Sequence, residues 1–102
     1  MGNKRIFTSE FKKESASLVL DTEYSIQQAS EAMDVSESAM RRWVKQLKAE
    51  RGGQTPTGSR AITAEQQQIQ ALQKQIRKLE REKEILKKAS ALLMLDMYQS
   101  TP

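Results

Sequence analysis

Neither cysteine nor histidine occurs in the 102 residues. Their absence excludes a disulfide framework, a zinc finger and any mechanism that needs a Cys or His nucleophile or base. Aromatics are scarce too: two Phe, two Tyr and one Trp make up 5% of a chain that is 29% charged. So few large apolar groups cannot wrap every residue around one core, and part of the chain is expected to be extended helix or linker. No apolar run approaches membrane-spanning length, and the start, MGNKRIFTSEF, lacks the uninterrupted apolar stretch of a signal peptide. The expected location is the cytoplasm. Proline occurs twice, and three of the four glycines fall between residues 52 and 58, so chain-breaking signals concentrate in one place.

On either side of that place the pattern is helical, with 17 Lys and Arg against 13 Asp and Glu for a net charge of +4. The segment SIQQASEAMDVSESAMRRWVKQL, residues 25–47, reads as two short helices joined by a tight turn. Ser25 caps the first, with Gln28 in the capping-box position, and Ser36 caps the second; Val35 and Met40 form a hydrophobic staple across its start. On this second helix Ala39, Met40, Trp43, Val44 and Leu47 share one face, and Ser38, Arg41, Arg42, Lys45 and Lys48 share the other. A helix that packs on one side and presents Arg and short hydroxyls on the other is suited to the DNA major groove. Upstream, Thr8 offers a cap and Phe11, Ser15, Leu18 and Val19 recur at helical spacing, predicting a helix over Ser9–Asp21 with Lys12, Lys13 and Glu14 turned outward. The three helices form one small head over residues 1–50, with Phe7, Phe11 and Trp43 in its core. Lys4, Arg5 and Arg51 are candidate phosphate contacts.

Residues 51–62 are expected to be a flexible linker. Helix resumes at Thr63, and over residues 63–98 Ile69, Leu72, Ile76, Leu79, Leu86 and Leu93 follow a heptad, predicting a coiled coil that dimerises the chain. Polar residues at two a positions, Lys83 and Ser90, favour a two-stranded assembly in one register. Residues 99–102 are expected to be a disordered tail. The fold class is therefore all-α: a helix-turn-helix head, a linker and a long zipper helix. The carboxylates are scattered along helix faces beside Lys and Arg, and no glycine loop is placed to cradle phosphate, so no catalytic residue, metal site or cofactor is expected and the chain reads as a non-enzyme.

Three stretches, RIFTSEFKKESASLVLD, AMDVSESAMRRWVKQLKAE and EREKEILKKASALLM, together resemble the short first-frame proteins, called OrfA, of bacterial insertion-sequence transposases. The resemblance implies binding to the element's terminal inverted repeats, self-association through the zipper, and a role as regulator or partner of a longer frameshifted transposase that alone carries the acidic catalytic domain. Carried over to this chain, it puts Ser36, Glu37, Ser38, Arg41, Arg42 and Lys45 on the DNA-facing side and Trp43 in the core. Two positions depart from the family's pattern: Ser30 where Ala is usual, and Asp34 where Gly stands at the turn. Asp tolerates a left-handed backbone better than most residues. Two other readings share these features: a stand-alone transcriptional repressor with the same head, and an adaptor whose zipper matters and whose basic head binds RNA or nothing.

Overall fold

A computed structural model describes residues 5–99, which are helical apart from short connections. They form two compact units, one ending at Ile69 and the other starting at Gln70. The first contains α1 (Ser9–Asp21), α2 (Ile26–Met33), α3 (Glu37–Arg51) and the opening turns of α4 (Ala64–Gln99).

Each of the first three helices begins at a side-chain cap. The Thr8 hydroxyl accepts the Phe11 N–H, Ser25 and Gln28 close a reciprocal capping box, and Ser36 accepts the Ala39 N–H. Between α2 and α3 the chain reverses at Asp34, whose φ of 55° and ψ of 52° are left-handed. The turn is closed by the Asp34 and Val35 amides donating back to carbonyls of α2, the Val35 bond at 2.9 Å to Ser30. Asp34 therefore takes the left-handed position where the resemblance led us to expect glycine. Ser30 is equally accommodated, because its buried hydroxyl donates to the Gln27 carbonyl at 2.8 Å.

The core is small and sits where α1, α2 and α3 cross. Ala16, Ala29 and Ala39 allow close approach, and Met40, Trp43 and Leu47 fill the space between. Phe7 and Phe11 stack at 5.3 Å between centroids, and Trp43 meets both edge-on at 5.0 and 6.0 Å. Three of the five aromatics thus converge on the buried side of α3, where each ring adds area and a favourable edge contact. The Ser15 hydroxyl is fully buried with no hydrogen-bond partner among the described residues.

The segment expected to be a flexible linker is fixed instead. Ala61 and Ile62 are buried, Ile62 with 3% exposure, and Ile62 joins the core of the head. Glu50, itself 3% exposed, accepts the Ile62 and Thr63 amides and the Thr63 hydroxyl at 2.8 to 3.1 Å. Gln46 donates both to Glu50 and to the Arg60 carbonyl at 2.7 Å. The physical reason is the usual need of a helix start for acceptors: the carboxylate at the end of α3 satisfies amides at the head of α4. The chain reaches this contact through left-handed backbone at Gly53 (φ 98°) and Gly58 (φ 80°), both glycines that adopt it without a Cβ penalty. The compact unit accordingly runs to Ile69, not to residue 50.

In the second unit α4 continues as helix to Gln99, so residue 99 does not belong to a disordered tail; residues 100–102 lie outside the described ones. Its apolar residues are open to solvent: Leu72, Ile76 and Leu79 are each about half exposed at 51, 52 and 56%.

Candidate nucleic-acid interface

α3 is anchored along its whole inner side. Ala39, Met40, Trp43, Leu47 and Glu50 are buried, at the i, i+3, i+4 spacing of one helix face. The opposite face, with Glu37, Ser38, Arg41, Arg42, Lys45 and Lys48, is exposed. The hydroxyl of Ser36 is engaged as the helix cap at 3.1 Å from the Ala39 amide. Glu37 and Arg41 form an exposed i, i+4 pair at 3.4 Å, worth only a few tenths of a kcal/mol, so both remain free to rearrange toward a ligand.

The other expected phosphate contacts stand differently. Arg5 pairs with Asp34 at 3.7 Å, donates to the Asp34 carbonyl and lies over the Phe7 ring at 4.8 Å. It braces the turn that leads into α3. Arg51 makes a two-pronged pair with Asp21 at 2.6 Å, tying the end of α3 to the end of α1. Hydrogen bonding from Arg51 holds the Asp21 carboxyl below its ordinary value, against a smaller opposing effect of burial. Lys4 lies outside the described residues. The cations of the first unit therefore divide into two groups: Arg5, Arg41 and Arg51 carry intramolecular carboxylate partners, whereas Lys12, Lys13, Arg42, Lys45, Lys48 and Arg60 have none among the described residues.

Three of these unpaired cations come together. Lys12 of α1 and Arg42 and Lys45 of α3 line an open groove of about 320 Å³, with Trp43 and Gln46 on the α3 side and Pro56 and Ser59 beyond. Helical periodicity alone turns Lys12 outward with Lys13 and does not single out Gln46, because the wall opposite them is supplied by Pro56 and Ser59, which lie beyond the end of α3. The isolated apolar pair Ala61 and Ile62 in an otherwise polar stretch is the one sequence signal that the segment returns to the head.

Glu50 is the other residue that sequence periodicity passes over. Burial pushes its carboxyl up, but the Thr63 amide, the Gln46 side chain, the Ile62 amide and the Thr63 hydroxyl together outweigh it and leave the group below its ordinary value. It is thus an ionised, fully hydrogen-bonded clasp at the base of the presenting helix.

Comparison with known proteins bears on this geometry. A helix-turn-helix family model described as transposase matches residues 1–88. The chain belongs to the helix-turn-helix transposase family. A relative from Escherichia coli K12 named as a transposase, InsN for insertion sequence element IS911A, is 54% identical over 87 residues, 85% of this chain and 64% of that protein. The chain thus spans somewhat under two thirds of that relative's length. InsN for IS911B, from the same organism, is 53% identical over 83% of this chain and 96% of its own length. An 11 kDa protein of insertion element IS600 from Shigella sonnei is 30% identical over 93% of this chain and 92% of its own. No solved structure matches. Membership of the helix-turn-helix transposase family makes this a DNA-binding, transposase-related protein, and the matched region is of the DNA-binding kind. Among the described residues no group of three or more Asp or Glu side chains is placed to hold a metal ion, and no helix is long and apolar enough to cross a membrane.

Proposed function

We propose that the chain recognises the terminal inverted repeats of an insertion sequence by laying α3 in the major groove, as regulator or partner of a longer transposase and without catalytic activity of its own. Ser36, Glu37, Ser38, Arg41, Arg42, Lys45 and Lys48 form the DNA-facing side. The observation that carries this reading is the two-sidedness of α3: one face wholly engaged in the core and the other exposed and basic, on the third helix of a capped trihelical head. Glu37, Ser38 and Arg41, near the N-terminal end of α3, are the base-edge readers, since a recognition helix meets the bases with its first turns.

Two heads are joined through the seam Ile69, Leu72, Ile76, Leu79, Leu86 and Leu93 in a homodimer, and the same helix offers a surface for the longer transposase. Linking two heads makes the second DNA contact intramolecular and raises affinity without new contacts. A cytoplasmic protein held at the nucleoid by DNA follows from this activity. The test is competition binding with a duplex carrying the inverted repeat of the encoding element against a random duplex. The repeat should be preferred as salt is raised, and Arg41→Ala should narrow that preference by roughly fivefold or more, the value of about 1–3 kcal/mol for a base-reading contact. Equal affinity for both duplexes at every salt concentration would overturn the reading in favour of a non-specific or adaptor role.

A further inference from the structure

We infer that the groove between α1, α3 and the returning segment 55–60 is a seat for the DNA sugar–phosphate backbone, with Lys12 its deepest cation and Ser59 on its far wall. The inference rests on the proposed placement of α3 on a duplex and adds to it a contact outside the helix-turn-helix itself. Three observations support it. Lys12, Arg42 and Lys45 are the cations that converge here, and among the described residues no carboxylate lines the groove and none of the three has a carboxylate partner. Concentrated positive charge without a counter-charge is an anion site, and a phosphodiester is the anion that a duplex seated on α3 would bring.

The far wall is built rather than loose. The Ser59 amide donates to the Pro56 carbonyl at 3.0 Å, closing a turn with Gly58 left-handed at its third position, which is the type II pattern. Thr55 pairs with Gln66 at 3.0 Å before the turn, and Gln46 holds the Arg60 carbonyl after it. Because Gln46 also bonds Glu50, the wall is fastened to the same helix that carries Arg42 and Lys45. Cations on α1 and α3 and the wall therefore keep a fixed spacing, which favours a rigid partner with regularly spaced phosphates over a flexible acidic peptide.

The test compares the full-length parent, Lys12→Gln and Lys13→Gln on the repeat duplex and on a random duplex across a salt series. Lys13 is the control: the same charge is lost one residue away, on the exposed side of α1. Lys12→Gln should weaken both duplexes by the same factor, roughly eightfold near 0.1 M salt, and should lower the slope of log affinity against log salt by about 0.9, the loss of one phosphate contact. Lys13→Gln should change neither by more than about twofold. Equal behaviour of the two variants would overturn the groove assignment while leaving α3 recognition standing; a parent that binds no duplex would overturn both. A second readout uses the absence of cysteine. Ser59→Cys carries a unique thiol, and a cleavage reagent tethered there should cut the duplex backbone beside the bound site, whereas uncut DNA under conditions of full binding would place the segment away from the duplex and refute the inference.

Discussion

The two units treat their apolar residues in opposite ways. Up to Ile69, Met40, Trp43, Leu47 and Ile62 are enclosed by neighbours from α1, α2 and the returning segment. From Gln70 onward, Leu72, Ile76, Leu79, Leu86 and Leu93 recur just as regularly, yet each is more than half exposed. Both have helical periodicity, so periodicity is not what separates a finished core from an unfinished one. The difference is whether the same chain supplies the facing surface. A head with three short helices can close on itself, while a single straight helix cannot bury its own stripe.

That contrast is broken most severely at the seam. Leu72→Asn with Leu79→Asn should cost about 3–6 kcal/mol of association per protomer, two leucines in each chain at roughly 1.5–3 kcal/mol apiece on burial, and sedimentation should report monomers. The head should be untouched. Its single tryptophan lies in the first unit with 5% exposure, so Trp43 fluorescence reads that unit alone and should keep the parent's denaturation midpoint. Parent-like sedimentation of the double variant would remove the zipper from the proposed function.

The converse change is Glu50→Gln, which should lower the stability of the head by about 1–3 kcal/mol while leaving self-association intact. Its charged form is favoured in the folded state, so its contribution is present above the ordinary carboxylate value and is lost as pH falls through that value toward the depressed one. Asp21 adds a contribution of the same sign through Arg51. The Trp43 unfolding midpoint of the parent should therefore fall on acidification through the carboxylate range, and the variant should show a shallower fall. An identical pH profile would mean that Glu50 does not act as a charged clasp. The smallest expected effect is a gain: Ser15→Ala removes a buried hydroxyl without a partner and should stabilise the head by about 1 kcal/mol, read as a higher Trp43 midpoint in denaturant.

The elements were legible to a degree that depended on sequence distance. Thr8, Ser25 with Gln28, and Ser36 act within three residues of themselves, so their caps could be read directly, as could the Ser9–Asp21 helix they introduce. Asp34 in the left-handed region was foreseeable from the same local chemistry. The fate of Arg5 and Arg51 was not. Each is an exposed cation by pattern, and only the folding of partners 29 and 30 residues away turns it into a brace. Glu37, Ser38, Arg41, Arg42, Lys45 and Lys48 are exposed, as the periodicity of α3 predicts, but Lys12 lines a groove whose far wall local patterns describe as linker.

By itself, then, the sequence determined where helices start, which face of each is apolar, and that the long helix carries an apolar stripe, because caps and 3.6-residue periodicity depend on neighbours a few positions apart. Tertiary structure alone decided that residues 55–63 belong to the head. Glycines and polar residues there are compatible with a mobile tether, and what selects the fixed arrangement is a contact across 12 residues: the Glu50 carboxylate accepting the Ile62 amide, with the Ile62 side chain buried in the core. An acceptor and the donors it satisfies leave no periodic mark on the chain when they meet only after three helices have packed.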